Sequence, residues 1–132
     1  MGAWGQGSFE NDEAMDWVAE LETYADDGLL INALNSAIDQ AEDYPEAPDC
    51  CIALAAAEVI AALLGKPADD CPNEVDAWIQ ERPAPSSSLI AKARQAAEVV
   101  LSNSELKDLW TESDALETWQ ASVEDLLSRL PY

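Results

Sequence analysis

The sequence predicts an all-α fold, a compact bundle of six or seven helices forming one domain over residues 1–132, and three features point to it. Apolar residues recur at spacings of three and four along most of the chain. No segment shows the period-two alternation of a half-buried strand. Gly and Pro gather between the periodic segments and not within them. A length of 132 residues suits a single core, and an apolar fraction of 48% can build it despite a formal net charge of -21.

The first helix is expected to start at Asn11, which can cap free N–H groups while Asp12 and Glu13 face the positive end of the helix dipole. Ala14, Trp17, Val18, Leu21, Tyr24 and Ala25 share one face, with Glu13, Asp16, Glu20 and Glu22 on the others, and an end is expected near Asp26. Leu30, Leu34, Ala37, Ile38 and Ala41 mark a second helix closed by Tyr44-Pro45 and Pro48. A third runs from about Asp49 to Leu64, with Gly65 as a left-handed cap, and its Ala-rich surface suits a central helix. Pro72, Val75, Trp78 and Ile79 signal a short fourth, stopped by Arg82-Pro83-Ala84-Pro85. Ser86 to Ser88 can cap a fifth, whose buried stripe is Leu89, Ile90, Ala93, Ala97, Val100 and Leu101. Ser102 with Glu105 reads as a capping box for a short turn through Trp110. Asp114 with Glu117 suggests the last start, and Leu116, Trp119, Val123, Leu126, Leu127 and Leu130 then keep helical register up to Pro131.

Composition excludes several functions. With no His there is no Ser-His or Cys-His dyad and no imidazole ligand for a metal. Six Lys and Arg against 27 Asp and Glu cannot supply the phosphate neutralisation that drives nucleic-acid binding. Ile52 to Leu64 is the most apolar stretch, yet it is too short for a bilayer and carries Glu58 midway, so no membrane association is expected. The opening from Met1 to Phe9 lacks the basic and apolar regions of a signal peptide, which implies a cytoplasmic, reducing setting. Cys50, Cys51 and Cys71 lack zinc-site spacing and read as core thiols, so no metal, no cofactor and no catalytic residue is expected.

The opening Gly2-Ala3-Trp4-Gly5-x-Gly7-x-Phe9-x-Asn11-Asp12-x-Ala14-x-Asp16-Trp17 resembles that of a family of small bacterial proteins grouped by sequence and of unknown function. The resemblance implies a bacterial source and a family length close to that of this chain, and it carries no catalytic residues across. Physically, the segment reads as a short, ordered, glycine-rich lead whose Trp4 and Phe9 plug the bundle. The alternative makes it a ligand loop, with a site at Trp4, Phe9, Asn11, Asp16 and Trp17 for a small molecule or a carboxylate-based reaction. No preceding strand or Gly-Lys-Ser/Thr accompanies it, so neither a phosphate loop nor a dinucleotide fingerprint is present.

The acids are distributed unevenly. Residues 1–65 contain 14 carboxylates and no Lys or Arg, whereas residues 66–132 contain 13 carboxylates and all 6 bases, giving charges of -14 and -7. Such a field serves solubility, and it also steers cationic partners. A basic protein partner is therefore expected at Asp12, Glu13, Asp16, Glu20, Asp26 and Asp27, as for an immunity or inhibitor protein or a mimic of a nucleic-acid backbone. A divalent cation is disfavoured there, because a helix ridge offers divergent carboxylates. Glu58 is the acid whose surroundings best suit general acid catalysis, but a salt bridge to Arg94 or Lys92 is the expected arrangement. Like charge keeps two acidic halves apart, so a monomer, or a weak dimer through the C-terminal half, is expected.

Overall fold

A computed structural model of the chain describes residues 7–24, 27–69, 71–80 and 82–131. Of the residues singled out above, Gly2, Ala3, Trp4, Gly5, Ala25 and Asp26 lie outside the described residues. The described residues form seven helices and no strand: α1 (Asp12–Leu21), α2 (Gly28–Ile38), α3 (Ala47–Leu63), α4 (Asn73–Ile79), α5 (Ser87–Ser102), α6 (Glu105–Glu112) and α7 (Leu116–Arg129). None of these helices is long and apolar enough to cross a membrane.

α3 occupies the centre because it is apolar all round, which is the composition of an interior helix. Its residues from Ala53 to Ala62 are buried without interruption, and each of the other six helices packs on it. Its many alanines let α2 and α5 approach closely, and these two also pack on each other. The amphipathic helices α1, α5 and α7 turn Trp17, Ala97 and Trp119 toward this centre.

Local chemistry fixes the ends. Asn11 Oδ1 accepts the Ala14 N–H at 2.8 Å, and Ser86 Oγ accepts the Leu89 N–H at 3.1 Å, so both expected caps form. Gly65 lies in the left-handed region at φ 82°. The Lys66 N–H reaches Ala61 O and the Gly65 N–H reaches Ala62 O, both at 2.9 Å, completing the paired bonds that close a helix on a left-handed residue. The start of α3 is capped from afar: the Ala47 N–H donates to Glu105 Oε1 at 2.8 Å, while the Glu105 N–H donates to Pro45 O at 2.9 Å. This exchange fastens α6 to the entry of α3.

Five boundaries differ from the sequence expectation, and the first is the end of α2, which stops at Ile38 before Ala41 and well before Tyr44-Pro45, because the Gln40 and Ala41 N–H groups turn back to Ala37 and Ile38. α1 stops at Leu21, not near Asp26, because the Thr23 and Tyr24 N–H groups turn back to Glu20 and Leu21. The Tyr24 carbonyl is then taken by Trp78 Nε1 at 3.0 Å. α3 already starts at Ala47, with Pro48 inside its first turn, where a missing N–H is harmless. Ser104, not Ser102, caps α6, since its buried Oγ accepts the Lys107 N–H and donates to Val100 O. Asp114 lies at φ 61°, leaving Ala115 to precede α7.

Candidate functional site

Among the predicted partner-binding acids, Asp12, Asp16 and Glu20 are exposed along α1, and Asp27 is exposed at the entry to α2. No ion pair joins them to a cation among the described residues. Glu13 departs from the expectation of an outward-facing side chain. It is half-buried, and its Oε2 is fully buried with no hydrogen-bond partner among the described residues. The reason is positional: one turn before Trp17, Glu13 sits on the margin of the apolar stripe, where α3 and α6 cover it. With Ala47, Pro48, Cys51 and Leu109 it lines a slot of about 160 Å³. Burial, with a smaller contribution from the charge of Glu13, pushes the Cys51 thiol up to about 12. Trp17 is 5% exposed, and its Nε1 also has no partner among the described residues.

The described residues of the alternative ligand site lie apart in role, and Trp4 is outside the described residues. Phe9 and Trp17 are part of the core, Asn11 is occupied as a cap, and Asp16 faces solvent. The end of the glycine-rich segment instead borders a different cavity. Gly7 and Glu10 line a space of about 320 Å³ together with Glu58, Asp69, Thr118, Ser122, Asp125 and Arg129.

Beneath that space lies the main buried polar network. Arg129 Nη1 donates to Glu58 Oε1 at 2.8 Å, and Nη2 donates to Oε2 at 3.2 Å. Ser8 Oγ donates to Glu58 Oε2 at 3.0 Å, Arg129 Nε donates to Asp125 at 2.9 Å, and Nη1 also reaches Lys66 O at 3.1 Å. Burial opposes the guanidinium charge, but the hydrogen bonds and charges of Glu58 and Asp125 outweigh it and hold the Arg129 pKa above its ordinary value. One ion pair thus ties the N-terminal segment, α3, the chain beyond Gly65 and the end of α7.

The expected partners of Glu58 serve elsewhere. Arg94 Nη1 donates to the Leu127 carbonyl at 2.8 Å and pairs with Glu98, and Lys92 donates to Asn35 Oδ1 at 2.8 Å. These bonds take Lys92 to α2 and Arg94 to the end of α7. Sequence reasoning missed Arg129, which lies 71 positions from Glu58. Its signal was only its place at the last turn of a well-patterned helix.

A third recess, of about 400 Å³, is walled by Leu30, Leu63, Leu89 and the Pro83–Pro85 segment. There the Arg82 guanidinium lies 3.6 Å from the centre of the Trp78 ring, a cation–π contact. The cysteines form no disulfide, with Cys50 and Cys51 buried and Cys71 half-buried. No group of His, Cys, Asp or Glu among the described residues could hold a metal ion.

Exposed carboxylates around an apolar helical centre, fastened by one buried ion pair, define an acidic all-α protein. The chain belongs to the family described as domain of unknown function DUF4259, whose model matches residues 2–122. No curated protein and no solved structure matches it.

Proposed function

We propose that the chain is a non-enzymatic protein-interaction module whose acidic first half docks on a basic protein surface. An immunity or inhibitor protein, or a mimic of a nucleic-acid backbone, would use such a field directly, because opposite charge accelerates encounter and fixes orientation. The observation that carries the reading is the set of exposed acids Asp12, Asp16, Glu20 and Asp27, none paired with a cation among the described residues, in a half-chain without Lys or Arg. The burial of Phe9 and Trp17 supports it as well, since these aromatics fill the core instead of walling a ligand cleft. We place the module in a bacterial cytoplasm, a setting suited to three cysteines outside any disulfide, as a monomer or a weak dimer through its C-terminal half.

The test is capture of partners from a bacterial lysate on the immobilised chain, at low and at high salt. Retention of basic proteins at low salt and their release at high salt is the expected result. Failure to retain a basic protein, or retention that salt does not weaken, overturns the reading.

A second reading, a small-molecule binder or carboxylate-based enzyme at the glycine-rich segment, is favoured by the cavity beside Gly7 and Glu10. Glu58 would be a poor acid there, because both its oxygens already accept hydrogen bonds from Arg129. An NMR fragment screen with saturable shifts at Gly7 and Ser122 would support this reading, and a blank screen would remove it.

A further inference from the structure

We infer that the recess walled by Leu30, Leu63, Leu89 and the Pro83–Pro85 segment binds a small organic cation, a rigid ring system carrying a protonated amine, with the Asp27 carboxylate holding the amine at the rim. The inference is independent of protein docking, since it uses a cavity and only one of the exposed acids. A space of about 400 Å³ falls within the roughly 300–1,000 Å³ of small-molecule sites, which are mostly apolar with a few polar groups that set orientation. Leucines and prolines supply the apolar part here, and Asp27, Arg82 and Ser86 supply the polar part. Asp27, Pro83 and Ala84 are exposed, so the rim is reached from solvent.

The frame is fixed before anything enters. Pro83 and Pro85 each lock one backbone angle. Trp78 Nε1 donates to Tyr24 O at 3.0 Å, Arg82 Nη2 donates to the same carbonyl at 3.3 Å, and Arg82 Nε donates to Trp78 O at 2.7 Å. These bonds join the chain after α1 to α4 and to the proline segment, and Ser86 Oγ caps α5 where that segment ends. A preformed wall favours a rigid ring over a flexible chain, because neither side then loses much conformational freedom on binding.

Charge selects the sign of the ligand. The Arg82 guanidinium lies over the Trp78 ring and donates to two backbone carbonyls, so its positive charge is already engaged within the protein. The Asp27 side chain precedes α2 without capping it and joins no ion pair among the described residues, which leaves its oxygens to solvent or to a ligand. A net charge of -21 further attracts cations and repels a ligand that carries a carboxylate.

The test is an NMR titration of the full chain with three molecules that share an indole ring: tryptamine hydrochloride, uncharged tryptophol and sodium indole-3-acetate. Saturable shifts at the Leu30, Leu63 and Leu89 methyls are expected with tryptamine, with weaker binding of tryptophol and the weakest of indole-3-acetate. Asp27→Asn, at an exposed position outside the core, should weaken tryptamine binding about three- to tenfold, between the effect of an exposed ion pair and that of a charged hydrogen bond, and leave tryptophol unchanged. The Asp12→Asn/Asp16→Asn variant removes two charges that do not line the recess and should change tryptamine binding by less than about twofold. Absence of saturable shifts at the three leucines, binding of indole-3-acetate as tight as that of tryptamine, or equal tryptamine binding by Asp27→Asn overturns the inference.

Discussion

Replacing Arg129 with Met strands the Glu58 carboxylate in the centre of the bundle. The Glu58 side chain is 2% exposed, and the substitution removes the Arg129 donors to both its oxygens while Ser8 still donates to Oε2. Breaking a buried pair from one side costs about 3–5 kcal/mol. That is a large share of the roughly 5–15 kcal/mol by which a domain is stable. The complementary change, Glu58→Leu, should cost less, about 1–3 kcal/mol, because Arg129 keeps Asp125 and the Lys66 carbonyl and its side chain is 15% exposed. The double variant, Glu58→Leu/Arg129→Met, puts apolar groups of similar volume in place of both charges and should recover most of the loss. Urea denaturation at neutral pH, followed by circular dichroism, gives all four stabilities and the coupling between the sites. An Arg129→Met cost below about 1 kcal/mol, or a double variant equal to the sum of the singles, would refute the keystone role.

Gly65→Ala should lose about 1 kcal/mol in the same assay, because a Cβ there meets no atom within 4 Å and the cost is that of φ 82° alone. Cys50 and Cys51 set an alkaline limit: burial pushes both thiols from 9.0 to about 12. Below pH 9 both are protonated whether folded or unfolded; above it the unfolded chain ionises first, so stability should fall as pH rises from 9 toward 12. A Cys50→Ala/Cys51→Ala variant should flatten that decline, and an unchanged slope would contradict it. With a net charge of -21, the melting temperature should rise as sodium chloride is added, and a flat scan would show that the carboxylates repel one another little.

What the sequence discloses here is what a single helix decides for itself. The stripes of α1, α5 and α7, the caps at Asn11 and Ser86 and the stop at Gly65 depend on residues a few positions apart, and all are legible from spacing. The central place of α3 is also legible, because a helix without a polar face has nowhere else to go. Where two local signals compete, the neighbourhood chooses. Ser102 and Ser104 can both cap, and Ser104 does so because its hydroxyl, buried at the turn, also needs the Val100 carbonyl. The partner of Glu58 depends on how α7 lies across α3, a relation between elements that periodicity does not encode. The same limit explains Glu13. On an isolated helix a carboxylate at the edge of the apolar stripe reaches water; covered by the entry of α3 and by Leu109 of α6, one of its oxygens loses water and gains no donor. The acids legible as a charged row therefore divide by tertiary contact into solvated ones and a half-buried one, a division that no spacing along α1 encodes.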